Sequence, residues 1–79
     1  MQAKRYLITG AQMRAARAFL NWTMDDLAKE SGVSVSAINR AERVDYVPSM
    51  QKRNLRAVQL AFEAHGLRFL DGNGLQRVV

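Results

Sequence analysis

The sequence predicts a mostly α-helical domain: four helices followed by a short C-terminal β-strand or hairpin. Three observations carry that expectation. Apolar residues recur at helical spacing in stretches separated by turn signals. Two short stretches are joined by a tight turn around Gly32. After Gly66 the period shortens, and two β-prone runs flank Asp71-Gly72-Asn73-Gly74.

Each element follows from local chemistry. Thr9 can cap a first helix, in which Met13, Ala16 and Leu20 share a face with Phe19 beside them. Arg14 and Arg17 sit among its alanines. Asn21-Trp22-Thr23 interrupts the pattern, and Trp22 is expected to pack between the first and second helices. Thr23 and Asp26 have the spacing of a capping box, with Asp in place of the usual Glu or Gln. Asp25 and Asp26 suit the positive end of the helix dipole. Leu27 and Ala28 form the buried stripe of this second helix, and Gly32 supplies the left-handed stop. Ser34 caps a third helix that runs through Ile38 to about Glu42. Asp45 to Ser49 reads as a loop. Pro48 ends what precedes it, and Ser49 is expected to cap a fourth helix over Met50 to His65, with Leu55, Val58 and Phe62 inward. Gly66 is the expected stop. Residues 67–79 form the β element. Residues 1–5 are polar and expected to fray, and Tyr6-Leu7-Ile8 is a candidate third strand.

Composition limits the function. Seventy-nine residues make one domain, residues 1–79, with 48% apolar residues, a share that favours a folded chain. No cysteine is present, which excludes disulfides, thiolate zinc sites and cysteine nucleophiles. No apolar run exceeds three residues, so no membrane span is expected. The N-terminal region has Lys4 and Arg5 but lacks the apolar segment of a secretory signal, so a cytoplasmic protein is expected. Twelve Lys and Arg against seven Asp and Glu give a net charge of +5. That balance points to an anionic partner, nucleic acid before a membrane surface. There is no phosphate-cradling glycine loop, no nucleophile–His pair and no carboxylate pair placed for acid–base work, so no enzyme, cofactor or small-molecule ligand is expected. His65 has no companion at metal-ligand spacing, so no metal is expected.

The densest signal runs from Thr23 to Arg40. Two short helices around a tight turn form a helix-turn-helix, here over about residues 23–43. Its geometry makes demands on five positions. Ala28 must be small where the helices cross, Gly32 must turn left-handed and Val33 must fill the gap. Leu27 and Ile38 must anchor the two helices. The run "DLAKESGVSVSAINRAER" meets all five and, with its surroundings over residues 9–65, resembles the Cro/CI-like (XRE) family of bacterial and phage transcription regulators.

The resemblance implies a lambda-repressor-like fold and a third helix lying in the DNA major groove. By the family pattern Val35, Ser36, Asn39 and Arg40 face the bases, while Ser34, Arg43, Lys52 and Arg53 reach phosphates. Arg40 suits guanine O6 and N7, Asn39 suits adenine and Val35 suits a thymine methyl. For Arg40 a phosphate-bound or solvated position is the competing reading. Arg17 and Glu42 occupy positions where family members often carry a buried structural ion pair. Two departures stand out. Met24 replaces a Gln that often contacts phosphate. A β-like tail replaces the fifth helix that many relatives use to dimerise. Leu67, Phe69, Leu70, Leu75 and Val78 are therefore the candidate dimer contacts, with strand pairing between subunits or a hairpin within one chain both open. The implied function is a homodimeric, sequence-specific DNA-binding regulator, most simply a repressor on an inverted repeat. Asp25, Asp26 and Glu30 form an acidic face that caps the second helix or touches RNA polymerase. Two other readings are a protein-interaction module of antitoxin or antiactivator type and a nonspecific DNA-coating protein. The mixed Val35, Ser36, Asn39 and Arg40 surface favours a reader over a coating.

Overall fold

The computed structural model describes residues 7–78. Among these, four helices precede a hairpin: α1 (Gly10–Leu20), α2 (Met24–Ser31), α3 (Val35–Ala41), α4 (Lys52–Glu63), β1 (Leu67–Leu70) and β2 (Gly74–Arg77). The expected fraying of residues 1–5 and a strand at Tyr6 lie outside the described residues, as does Val79. Leu7 and Ile8 join no strand, and the sheet among the described residues has two strands.

Side-chain caps set three helix starts. Thr9 and Gln12 form a reciprocal capping box on α1, each accepting the other's backbone N–H at 3.0 Å. Thr23 and Asp26 do the same on α2, at 2.9 and 3.0 Å. Ser34 accepts the Ala37 N–H on α3 at 3.1 Å. α1 ends where Asn21 turns left-handed (φ 61°), and α2 ends at Gly32 (φ 77°).

The fourth helix departs from expectation. It starts at Lys52, its N-cap is Gln51, and no side chain caps it. Ser49 instead lies in the bend after Pro48, where the Met50 N–H donates to the Pro48 carbonyl at 3.1 Å. The loop needs those extra residues to come round before a helix can begin. At the other end α4 stops at Glu63, short of His65. Gly66, with φ 89°, turns the chain into β1.

The core gathers the inward stripes of every helix. Met13 and Ala16 of α1, Leu27 of α2, Ile38 of α3, and Leu55, Val58 and Phe62 of α4 are buried, with Ile8 and Val33 beside them. Full burial of side chains of this kind is worth about 1.5–3 kcal/mol each before entropy. Phe62 is the hub. Its ring stacks on Trp22 at 5.6 Å and meets Phe69 edge-on at 5.8 Å. Trp22 therefore packs against α4, also touching His65 edge-on at 4.8 Å. Phe19 is exposed, with the Arg77 guanidinium 5.3 Å over its ring.

β1 and β2 pair with each other, antiparallel, with Leu67 opposite Arg77 and Leu70 opposite Gly74. Strand alternation turns Leu67 and Phe69 into the core and Arg68 and Leu70 outward. Leu67 and Phe69, two of the candidate dimer contacts, are each 2% exposed within the chain's own core.

The hairpin is fastened by a buried polar side chain. Gln12, 2% exposed, donates from Nε2 to the carbonyls of Leu70 and Gly74, both at 2.7 Å. Thr9 Oγ1 adds a bond to Asn73 Oδ1 at 2.5 Å. One helix start thus holds both ends of the Asp71–Asn73 turn.

Candidate nucleic-acid interface

α3 is too short to have a spare face. Ile38 and Ala41 point into the core, which leaves Val35, Ser36 and Arg40 exposed and Asn39 half-buried on the other side. At helical spacing these form two rows, Val35–Asn39–Arg43 and Ser36–Arg40. Ser34 sits exposed at the N-cap. The structure thus brings together on one surface the residues the family pattern marks as outward.

The two rows differ in freedom. Asn39 Nδ2 lies 3.7 Å from Met24 Sδ, and its Oδ1 accepts from Arg43 Nε at 3.2 Å. Met24 is half-buried against the core, so it supports Asn39 from beneath. Arg40 is exposed and extends beside the cleft between α3 and the approach to α4, together with Ala37, Ser49 and Met50. Lys52 and Arg53 are exposed in the first turn of α4. That turn holds no acid and no side-chain cap, so no side chain there offsets the positive dipole end of α4.

The acids nearest this surface are neutralised by α1. Glu42 is 4% exposed and is held by Arg17 through two bonds of 2.8 Å, Nε to Oε2 and Nη2 to Oε1. The Arg17 guanidinium is held above its usual pKa chiefly by its hydrogen bond to Glu42. A third arm reaches the Trp22 carbonyl at 3.0 Å. Asp45 is paired with Arg14. Among the described residues Arg40, Arg43, Lys52 and Arg53 enter no ion pair. The α3–α4 face is therefore more basic than its sequence count.

Three supporting residues escaped the sequence reading. Gly10 packs directly against the turn after α3. A Cβ there would lie 2.0 Å from the Val44 carbonyl oxygen and 2.5 Å from that of Ala41, so no other residue fits. Its N–H donates to the Tyr46 carbonyl at 2.9 Å. Arg14 donates to the carbonyls of Glu42 and Val44. Gln12 is the third; its place three residues after Thr9 carries the capping-box signature, the one local signal available.

On α2, the Asp26 carboxyl sits below its ordinary pKa because the Thr23 backbone N–H donates to it, with the Thr23 hydroxyl second. Glu30 meets His65 Nε2 at 3.2 Å, joining α2 to the turn that follows α4. Of the remaining dimer candidates, Leu70 and Val78 are exposed and Leu75 is half-buried. Among the described residues no group of His, Asp and Glu is placed to hold a metal. No helix among them is long and apolar enough to cross a membrane.

A family model described as helix-turn-helix matches residues 13–52, half the chain, from α1 to the first residue of α4. No curated protein matches the sequence.

Proposed function

We propose, because the chain belongs to the Cro/CI-like (XRE) family of DNA-binding helix-turn-helix regulators, that it reads a specific duplex sequence as a homodimer and represses by occupying it. The observation that carries this reading is the α3 surface. It places a free arginine (Arg40), an amide braced from behind (Asn39), a hydroxyl (Ser36) and an exposed Val35 side by side. Charge alone would serve a coating protein; this mixture offers donors, an acceptor and an apolar contact matched to base edges. Ser34, Arg43, Lys52 and Arg53, with the open start of α4, supply sequence-independent phosphate contacts on either side.

Repression is favoured over activation because two acids of α2 already have structural work. Asp26 closes the helix cap and Glu30 binds His65. Asp25 alone is left for a polymerase contact. For the dimer, Leu70, Leu75 and Val78 are the available hairpin residues, and two copies would set half-sites about 34 Å apart.

Selection from randomised duplex DNA at about physiological salt tests this. An enriched inverted repeat is the expected result. An enriched single half-site keeps the reader and removes the dimer. No enrichment by the folded chain overturns the reading and favours a protein-binding module instead.

A further inference from the structure

We propose that Tyr46 is a phosphate-contacting residue, its hydroxyl donating to the DNA backbone beside the groove that α3 occupies. The inference rests on the DNA-reading function above and adds a contact that the helix-turn-helix itself does not contain.

Among the described residues Tyr46 is the most exposed large hydrophobic side chain, at 67%, with Val47 next to it at 41%. Such exposure usually accompanies a loose loop, and here the loop is fastened. The Tyr46 carbonyl accepts the Gly10 N–H at 2.9 Å. Arg14 binds the Val44 carbonyl at 3.2 Å and pairs with Asp45. Pro48 is buried. The backbone on both sides of Tyr46 is thus tied to α1 or to the core, while the ring stays bare. A tyrosine on a fixed backbone has two torsions to order, which makes it an inexpensive contact residue.

The surroundings select the partner. Tyr46 lines the same cleft as Arg40, Arg43 and Ser49. Two acids share the pocket on its other side: Asp45, which is paired with Arg14, and Asp71 at the hairpin turn. A polyanion drawn to Arg40 and Arg43 would pass within reach of the ring, whose hydroxyl is a neutral donor suited to a phosphate oxygen.

Neutrality gives the test its discrimination. Binding of Tyr46→Phe and Tyr46→Ala is measured on a random-sequence duplex and on a selection-enriched duplex across a salt series, with Arg43→Ala as comparison. Tyr46→Phe is expected to weaken both duplexes equally, by about tenfold, as loss of one hydrogen bond to a charged group implies. Its salt slope should match the wild type, because a neutral donor displaces no counterion, whereas Arg43→Ala should flatten the slope by about one unit. Wild-type affinity in Tyr46→Phe overturns the proposal, even if Tyr46→Ala binds weakly. So does a loss confined to the enriched duplex, or a fall in dimer mass on sedimentation. If the wild type binds neither duplex, the DNA reading itself fails; if it binds and Tyr46→Phe is silent, only this inference fails.

Discussion

Arg17 and Glu42 are joined by two parallel hydrogen bonds of 2.8 Å, which tie the last part of α1 to the end of α3. Glu42 is almost wholly buried, and the Arg17 side chain keeps one-fifth of its exposure. Breaking such a pair leaves a charge behind without its counter-charge, which typically costs about 3–5 kcal/mol. Glu42→Gln should therefore destabilise the fold by about 3 kcal/mol, the lower end, because Arg17 keeps some water. The double variant Arg17→Met, Glu42→Leu should recover most of that loss, since apolar replacement of both partners removes the stranded charge. Urea unfolding of the three proteins decides it. A single variant within about 1 kcal/mol of wild type would show that the pair is not what holds α3.

Gln12 contributes differently, through two hairpin carbonyls that it reaches from α1. Gln12→Leu keeps the bulk and removes the donors to Leu70 and Gly74. Each part-buried carbonyl that loses this donor costs about 1–2 kcal/mol, so a loss of about 2–4 kcal/mol is expected. Hydrogen exchange should locate it. Amides of β1 and β2 should open before those of α2 and α3. Uniform acceleration across all elements would mean that Gln12 supports the core as a whole and not the hairpin.

These two side chains also mark how far the sequence could be read. Thr9, Thr23, Gly32 and Ser34 act on backbone within three or four residues of themselves, so their roles are legible locally. The inward residues Leu27 and Ile38 follow from helical period. Ser49 has the local signature of a cap, but α4 starts at Lys52, after a bend through Ser49 and Met50 that no local pattern marks. The contacts of Trp22 with Phe62 and His65 carry no local signal either, because ring packing is a long-range fact. In the candidate interface, the outward rows of α3 follow from the family pattern. Tyr46 carries no local signal, since an aromatic in a loop is ordinary until its backbone is seen to be fixed.

The α2 cap makes a pH prediction. Hydrogen bonding to Thr23 lowers the folded pKa of Asp26 from its ordinary value of 3.8. A depressed carboxyl stabilises the fold fully above the unfolded value. That contribution fades as pH falls below 3.8 and is gone below the folded value. Asp26→Asn should accordingly melt at a lower temperature than wild type at pH 6, and the gap should narrow as pH is taken from 4 to 2. Thermal melts at several pH values check this. A gap independent of pH would assign the effect to cap geometry and leave ionisation no part.

The interface itself is tested by setting Arg40 against Lys52. Both are exposed, and among the described residues neither makes an ion pair, so substituting either by alanine should leave the fold intact. They differ in what they face. Arg40 projects from the outward row of α3, where a guanidinium can donate to two acceptors of a guanine edge. Lys52 projects from the first turn of α4, where its proposed partner is a phosphate met as a point charge. Arg40→Ala should cost about 1–3 kcal/mol on the enriched duplex and relax preference at one base pair. Lys52→Ala should weaken enriched and random duplexes alike and reduce the salt slope by about one. Binding to a panel of single-base-pair substitutions at two salt concentrations separates the two signatures. If Arg40→Ala weakens every duplex equally, Arg40 is a phosphate contact and base reading passes to Asn39, Ser36 and Val35.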